Sequence, residues 1–190
     1  ATPSFSANNP NRPVEEVSWD DVQIFLSRLN AQQSANIPSG WAYVLPTESQ
    51  WEYACRAGTD TAYSWGDSIT ASNANYSSSG LNQTRDVGYY AANPWGFFDM
   101  HGNVWEWTAD WYQAAYPTGN PVIDPTGSAS GSIRVNRGGS WRHGGTYLRS
   151  AKRSADTPSL RYYTLGFRVG FQQQWQGSNG RIGAIARAVY

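Results

Sequence analysis

Apolar residues recur at helical spacing in only two stretches of the chain; elsewhere they fall in short runs broken by turn residues. The first stretch places Val22, Phe25, Leu26 and Leu29 on one face. Ser18 can cap this helix with Asp21 at its third position, and Asp20 and Asp21 suit the positive helix end. The pattern runs out between Ala31 and Gln33. A second helix opens at Thr47, with Gln50 completing a capping box, and turns Trp51, Ala54 and Cys55 inward before Gly58 stops it. Beyond Gly58 turn signals outnumber periodic positions. Thr70 to Asn82 and Pro117 to Gly131 are expected loops, and Val104–Trp107, Ile133–Val135 and Gly166–Phe171 are expected strands of a small sheet. By itself this pattern specifies an α+β, loop-rich domain.

Composition sharpens that reading. The 190 residues include 10 Trp and 12 Tyr among 19 Gly and 10 Pro, so large flat side chains pack under many turns. The chain is long enough for one substantial core and short for two ordinary domains. No apolar run approaches membrane-spanning length. The single Cys excludes an intrachain disulfide. Net charge is zero but unevenly spread: residues 1–133 hold thirteen acids and four Arg, residues 134–190 one acid, Asp156, with nine Arg and one Lys. These cations stand singly among Gly, Ser and aromatics, which argues against a nucleic-acid-binding run. They suit acids of the first part meeting arginines of the last across one fold, with Arg137, Arg149, Arg153 and Arg168 as the structural cations.

Three ordered blocks carry a family resemblance: Pro46-Thr47-Glu48-Ser49-Gln50-Trp51-Glu52-Tyr53-Ala54, Asn93 to Trp107, and Arg137-Gly138-Gly139-Ser140-Trp141 through Leu165-Gly166-Phe167-Arg168-Val169-Gly170-Phe171. Together they resemble the formylglycine-generating enzyme, or sulfatase-modifying factor, family. The resemblance implies a C-type lectin fold, with two helices packed on a small twisted antiparallel sheet. It divides the chain into a lead-in over 1–12, a domain over 13–171 and an extension over 172–190 that can serve as an edge strand or assembly tail. The segment 141–164 also resembles the diversified region of the variable proteins of diversity-generating retroelements, which use this fold to display changing residues for ligands.

Catalytic members of the family carry two copper-binding cysteines soon after the Arg-Gly-Gly-Ser block. Here that stretch reads Arg142-His143-Gly144-Gly145-Thr146-Tyr147-Leu148-Arg149, without sulfur, and Cys55 lies in the second helix, where a thiol behaves as a small buried hydrophobe. One thiolate cannot build a two-sulfur soft-metal site, and His101 and His143 are too few for the three-histidine iron centre of the related sulfoxide synthases. No copper, iron or nucleotide is therefore expected. Ser140 and His143 lie too close in sequence for a nucleophile and base in line, and no nucleophile elbow is present.

Calcium is the cofactor the resemblance implies, in a structural role. The family's site maps onto side chains of Asp99 and Glu106 and main-chain oxygens of Gly102 and Val104, with a second site around Asn75 and Tyr76 whose later carboxylate is missing near Ser79. The competing reading is that Asp99 caps a turn and Glu106 pairs with a buried Arg. Neither Glu-Pro-Asn nor Gln-Pro-Asp occurs, which argues against calcium-mediated sugar binding. The remaining candidates form a ligand surface of Trp141, Arg142, His143, Thr146, Tyr147, Ser159, Tyr162 and Tyr163, residue types that give contact area at low entropy cost. The expected function is a non-catalytic ligand-binding or assembly module, calcium-stabilised, facing a protein or glycan partner outside the cell or at its surface, with self-assembly through 172–190 as a further use. The alternatives are a sulfatase-modifying, oxidase-like enzyme and a regulatory partner of one.

Overall fold

Both helices start on the capping boxes that the sequence provides. In the computed structural model, which describes residue 4 and residues 9–115 and 125–174, α1 spans Trp19–Gln32 and α2 spans Glu48–Arg56. Ser18 Oγ accepts from the Asp21 N–H at 3.1 Å while Asp21 accepts from the Ser18 N–H at 2.9 Å. Thr47 and Gln50 repeat the exchange at 3.2 and 2.9 Å. Val22 and Leu26 are buried as expected, whereas Phe25 is half exposed and meets Phe167 edge-on. Helix α2 ends at Ala57, which itself takes the left-handed conformation ahead of Gly58.

Six strands form, two of them, over 41–44 and 153–156, beyond those expected. They are β1 (Trp41–Val44), β2 (Trp105–Trp111), β3 (Arg134–Arg137), β4 (Arg153–Asp156), β5 (Leu165–Phe167) and β6 (Gly170–Gln173). Strands β4, β3, β2 and β5 form one sheet in that order, and β1 pairs with β6 as a separate antiparallel ribbon. The expected antiparallel sheet is in fact mixed. β3 runs antiparallel to β2 and β4, but β5 lies parallel to β2, with Glu106 opposite Gly166. The single strand expected over 166–171 is two strands, broken at Arg168 and Val169, where Arg168 turns inward onto Glu106.

Strand β2 is the centre of the molecule. Its Trp105 and Trp107 join Val17, Val22, Leu26, Leu45, Leu165 and Val169 in the main core, and the Trp107 indole donates to the Val17 carbonyl at 3.0 Å. A second cluster holds Trp51, Ala54, Cys55 and Met100; a third holds Tyr63, Ala74, Tyr76 and Leu148 beneath the loops. The uneven charge resolves as expected for three of the four arginines. Arg137 pairs with Glu48 and Glu52, Arg153 with Glu48 and Arg168 with Glu106, so late cations meet early acids. Arg149 departs from that scheme: it is exposed and donates to the Thr146 carbonyl. Of the extension, Gln172 and Gln173 lie in β6 opposite Ala42 and Trp41; from residue 175 onward the expected edge strand or assembly tail lies outside the described residues.

Candidate functional site

The donor set at Glu106 is already neutralised by protein. Arg168 Nη2 donates to Glu106 Oε1 at 2.7 Å and its Nε to Oε2 at 2.8 Å, and the Trp51 indole N–H adds a third donor to Oε2 at 2.7 Å. All three side chains are buried. A guanidinium gripping both oxygens supplies the positive charge a calcium ion would bring and repels a second cation. Asp99, in the left-handed region, accepts from the Gly88 N–H at 2.7 Å, and burial pushes its carboxyl above the usual range. Of the four expected calcium ligands, Glu106 is thus one half of a buried ion pair and Asp99 accepts from the turn at Gly88.

At the second expected site, Asn75 and Tyr76 are engaged by neighbouring protein groups. Asn75 Oδ1 accepts from Ser79 Oγ at 2.8 Å, its Nδ2 donates to the Gln83 carbonyl and to Asn103 Oδ1, and its own carbonyl accepts from the Asn103 N–H. Its polar groups bridge three loops, and Tyr76 is core. Thermal unfolding with millimolar calcium and with excess chelator should give melting temperatures within about 1 °C of each other, whereas a site held at a hundredfold its Kd adds about 2.7 kcal/mol.

His101 is structural, wedged between loops. Its Nδ1 donates to the Leu148 carbonyl at 2.7 Å and its Nε2 accepts from the Ser64 N–H at 3.1 Å, with the Cys55 sulfur 3.5 Å away. Burial lowers its pKa to about 4 and raises that of the Cys55 thiol to about 12, so neither is poised for chemistry. The folded protein binds a proton on His101 less tightly than the unfolded chain does. Stability from this group is full above pH 6.5 and falls by about 3 kcal/mol as pH drops toward 4. Asp110 opposes it: burial raises its pKa to about 6, so its contribution is lost as pH rises from 3.8 toward 6. Denaturant titrations of wild type and His101→Gln across pH 4–7 should separate the two, the variant losing the acid-side drop.

The aromatic residues of segment 141–163, with Arg142, His143 and Lys152, fall into two contact groups. The Tyr162 and Tyr163 rings lie 4.4 Å apart, Trp141 is 5.7 Å from Tyr163, and Arg142 sits 5.5 Å above Tyr163 while donating to the Tyr162 hydroxyl at 3.1 Å. His143 stands 5.2 Å from Tyr147, and the Lys152 ammonium lies 5.0 Å over the same Tyr147 ring. Arg142, Tyr147 and Tyr162 are exposed. The turn is anchored from below: the Trp141 N–H donates to the Asn103 carbonyl and the His143 carbonyl accepts from Ser77. Thr146 is exposed beside Tyr147, on the short 3-10 turn Gly145–Leu148. Ser159 belongs elsewhere, on the turn whose Pro158 carbonyl receives the N–H groups of Trp19 and Asp20 at the start of α1.

Three further residues contribute to this face, of which Trp105 was not legible as such in the sequence. Trp105, in β2, donates its indole N–H to His143 Nδ1 at 3.3 Å, and Ser140 Oγ lies 2.7 Å from the same nitrogen. Ser140 is fully buried, so its closeness to His143 does not make it a nucleophile. Lys152 joins through Tyr147. Elsewhere, a cleft of about 540 Å³ is lined by Glu48, Glu52, Asp110, Arg56 and Arg153, most of them engaged in ion pairs with one another or with Arg137.

Comparison with known proteins agrees with this architecture. The formylglycine-generating enzyme of Streptomyces coelicolor is 36% identical over 177 residues, covering 84% of this chain and 52% of the relative. That of Bos taurus is 31% identical over 179 residues, covering 85% and 44%. The chain thus spans about half the length of the curated relatives it matches. Among solved structures, Treponema denticola variable protein 1 superposes with a TM-score of 0.77 at 28% identity, covering 89% of this chain and 77% of that one. PvdO from Pseudomonas aeruginosa gives 0.74 at 28%, covering 87% and 64%. The fold is the C-type-lectin-like one of these proteins. Residues 2–172 match the family described as the sulfatase-modifying factor enzyme 1-like domain, and the chain belongs to it.

Proposed function

We propose that this domain is a non-catalytic binding module that presents the Trp141–Tyr163–Tyr162 cluster, with Arg142, His143 and Tyr147, to a protein or glycan partner. The observation that carries the reading is the half-open aromatic stack itself. Its rings stand within 4.4 to 5.7 Å of one another under one guanidinium, on a turn fixed by backbone hydrogen bonds. Rigid Tyr, Trp and Arg side chains on a preorganised turn lose little entropy on contact and dominate binding energy where they occur. The likeness to a variable protein supports it. On this reading the domain works outside the cell or at its surface; among the described residues no helix is long and apolar enough to cross a membrane. Self-association through the segment beyond β6 is a further use of the same module.

The test is a screen of the purified chain against glycan and peptide arrays, repeated with Arg142→Ala, Tyr162→Ala and Tyr163→Ala. Each replacement should weaken the captured partner by about 2 kcal/mol, roughly thirtyfold, with melting temperature unchanged. Unaltered binding by all three variants would remove this face from the function.

A second reading rests on the 36% identity to a formylglycine-generating enzyme: an oxidase-like activity, or regulation of a catalytic relative. The sulfur-free stretch after Ser140 counts against direct copper chemistry. Conversion of a cysteine-bearing peptide by the pure protein, read by mass spectrometry, would establish the enzyme. Co-purification with a relative whose activity depends on it would establish the regulator.

A further inference from the structure

The polar groups of this face are sorted by sign. Arg142, Arg149 and Lys152 form no ion pair among the described residues, although the neighbouring Arg153 and Arg161 are paired with Glu48 and Asp21. Arg142 is engaged with tyrosines and Lys152 with the Tyr147 ring, contacts that leave their charge uncompensated. His143 neighbours both groups: Arg142 precedes it and acts on its charge, and Tyr147, which carries Lys152, lies 5.2 Å from its ring. Its Nδ1 receives the Trp105 indole N–H, a group that can only donate, so Nδ1 carries no proton and Ser140 Oγ must donate to it as well. In the neutral ring the proton is therefore on Nε2, which no described residue hydrogen-bonds. The groups facing the ring are Trp105 and Ser140 beneath it and Arg142 and Tyr147 beside it, with Lys152 behind Tyr147; none is an acid.

We propose that His143 is a fixed Nε2–H donor which, with Arg142 and Lys152, receives a carboxylate of the partner, so that the ligand is an acidic peptide segment with an aromatic residue beside its carboxylates. This rests on the binding reading above and assigns its chemistry. The tyrosines supply a platform for the ligand's ring, and the cations and the His143 N–H supply three donors that no carboxylate among the described residues pairs with. Donation from a neutral ring also keeps the site competent at neutral pH, because a proton on Nδ1 would face the Trp105 N–H. Burial and Arg142 hold the His143 pKa below its ordinary value, in line with that geometry.

Matched tripeptides test the assignment on the full chain: acetyl-Glu-Tyr-Glu-amide against acetyl-Gln-Tyr-Gln-amide, followed by NMR at the side chains of His143, Arg142 and Lys152. The acidic peptide should bind at least about tenfold more tightly, with an advantage that shrinks as salt rises. His143→Ala should lose most of that advantage, whereas His143→Gln, whose amide can donate from nearly the Nε2 position, should retain much of it. Ring-nitrogen shifts of the free protein should show His143 protonated at Nε2 alone, and Trp105→Phe should relax that preference while the fold persists. Equal binding of both peptides, still lost on Tyr162→Ala, would overturn the carboxylate assignment and leave the aromatic surface standing. An Nδ1-protonated ring, or binding of neither peptide, would overturn it too, and the latter would also remove peptides from the partner class.

Discussion

Replacing Arg168 by Ala should destabilise the fold by about 3–5 kcal/mol, the cost of leaving one member of a buried ion pair alone. In a domain of this size that lowers the melting temperature by roughly 10 °C. The reason lies in β2. Glu106 sits in the centre of the mixed sheet, its carboxylate buried and receiving Arg168 through two hydrogen bonds and Trp51 through a third. Without the guanidinium a carboxylate stays in the core with the indole N–H, and the Phe98 carbonyl loses one donor, at 2.9 Å. The double variant Glu106→Leu, Arg168→Met should recover most of the loss, because removing both charges removes the desolvation cost with them. Calcium separates this account from the family's metal site. If an ion balanced Glu106, the single variant would regain stability as calcium is added; with Arg168 in that role, calcium leaves it unchanged.

The same residue shows where sequence reading stopped. The helices were legible because their signals are local: Ser18 with Asp21 and Thr47 with Gln50 lie within one turn of each other, and the structure keeps both boxes. Strand β4, reading Arg-Ser-Ala-Asp, gave no apolar alternation. It forms because Ser154 and Asp156 register with Asn136 and Arg134 of the neighbouring β3, and the Asn136 amide donates to Asp156 at 2.9 Å. Strand β1 is a four-residue run with no alternating burial, and its partner carries two glutamines. For β4 a long-range neighbour, not local pattern, selects the strand, and for β1 the pairing with β6 completes a short apolar run.

The site divides in the same way. The convergence of Arg142, Tyr162 and Tyr163 was foreseeable from residue type within one segment, and the geometry brings them together. The partner of Glu106 was one of two readings that the sequence left open, since a carboxylate spaced for a cation accepts guanidinium or calcium equally well on paper. Trp105 under His143 required the fold, because thirty-eight residues separate the donor from the acceptor. An indole N–H announces the need for an acceptor but not its address.

Gly102→Ala should be the second severe substitution, costing about 3 kcal/mol or more and loosening the binding face with it. Gly102 adopts φ +98°, a conformation that side chains tolerate at a cost of about 1–3 kcal/mol. Space adds to the strain: a Cβ there would stand 2.8 Å from the Leu148 side chain and closer still to the Asn75 carbonyl oxygen, a backbone atom that cannot swing aside. That carbonyl accepts from the Asn103 N–H, and the Asn103 carbonyl in turn accepts from Trp141, so a shift at residue 102 is passed through two hydrogen bonds to the foot of the aromatic stack. Gly144→Ala is the matched control. Nothing lies within 4 Å of a Cβ at that position, and its φ of −65° is ordinary for any residue, so its effect should stay within about 0.5 kcal/mol. Chemical denaturation should rank the two, and hydrogen exchange should show the N–H groups of Asn103 and Trp141 losing protection in the first variant only. Equal stability of the two alanine variants would mean that the turn yields freely, and that the face above it is not held in place by Gly102.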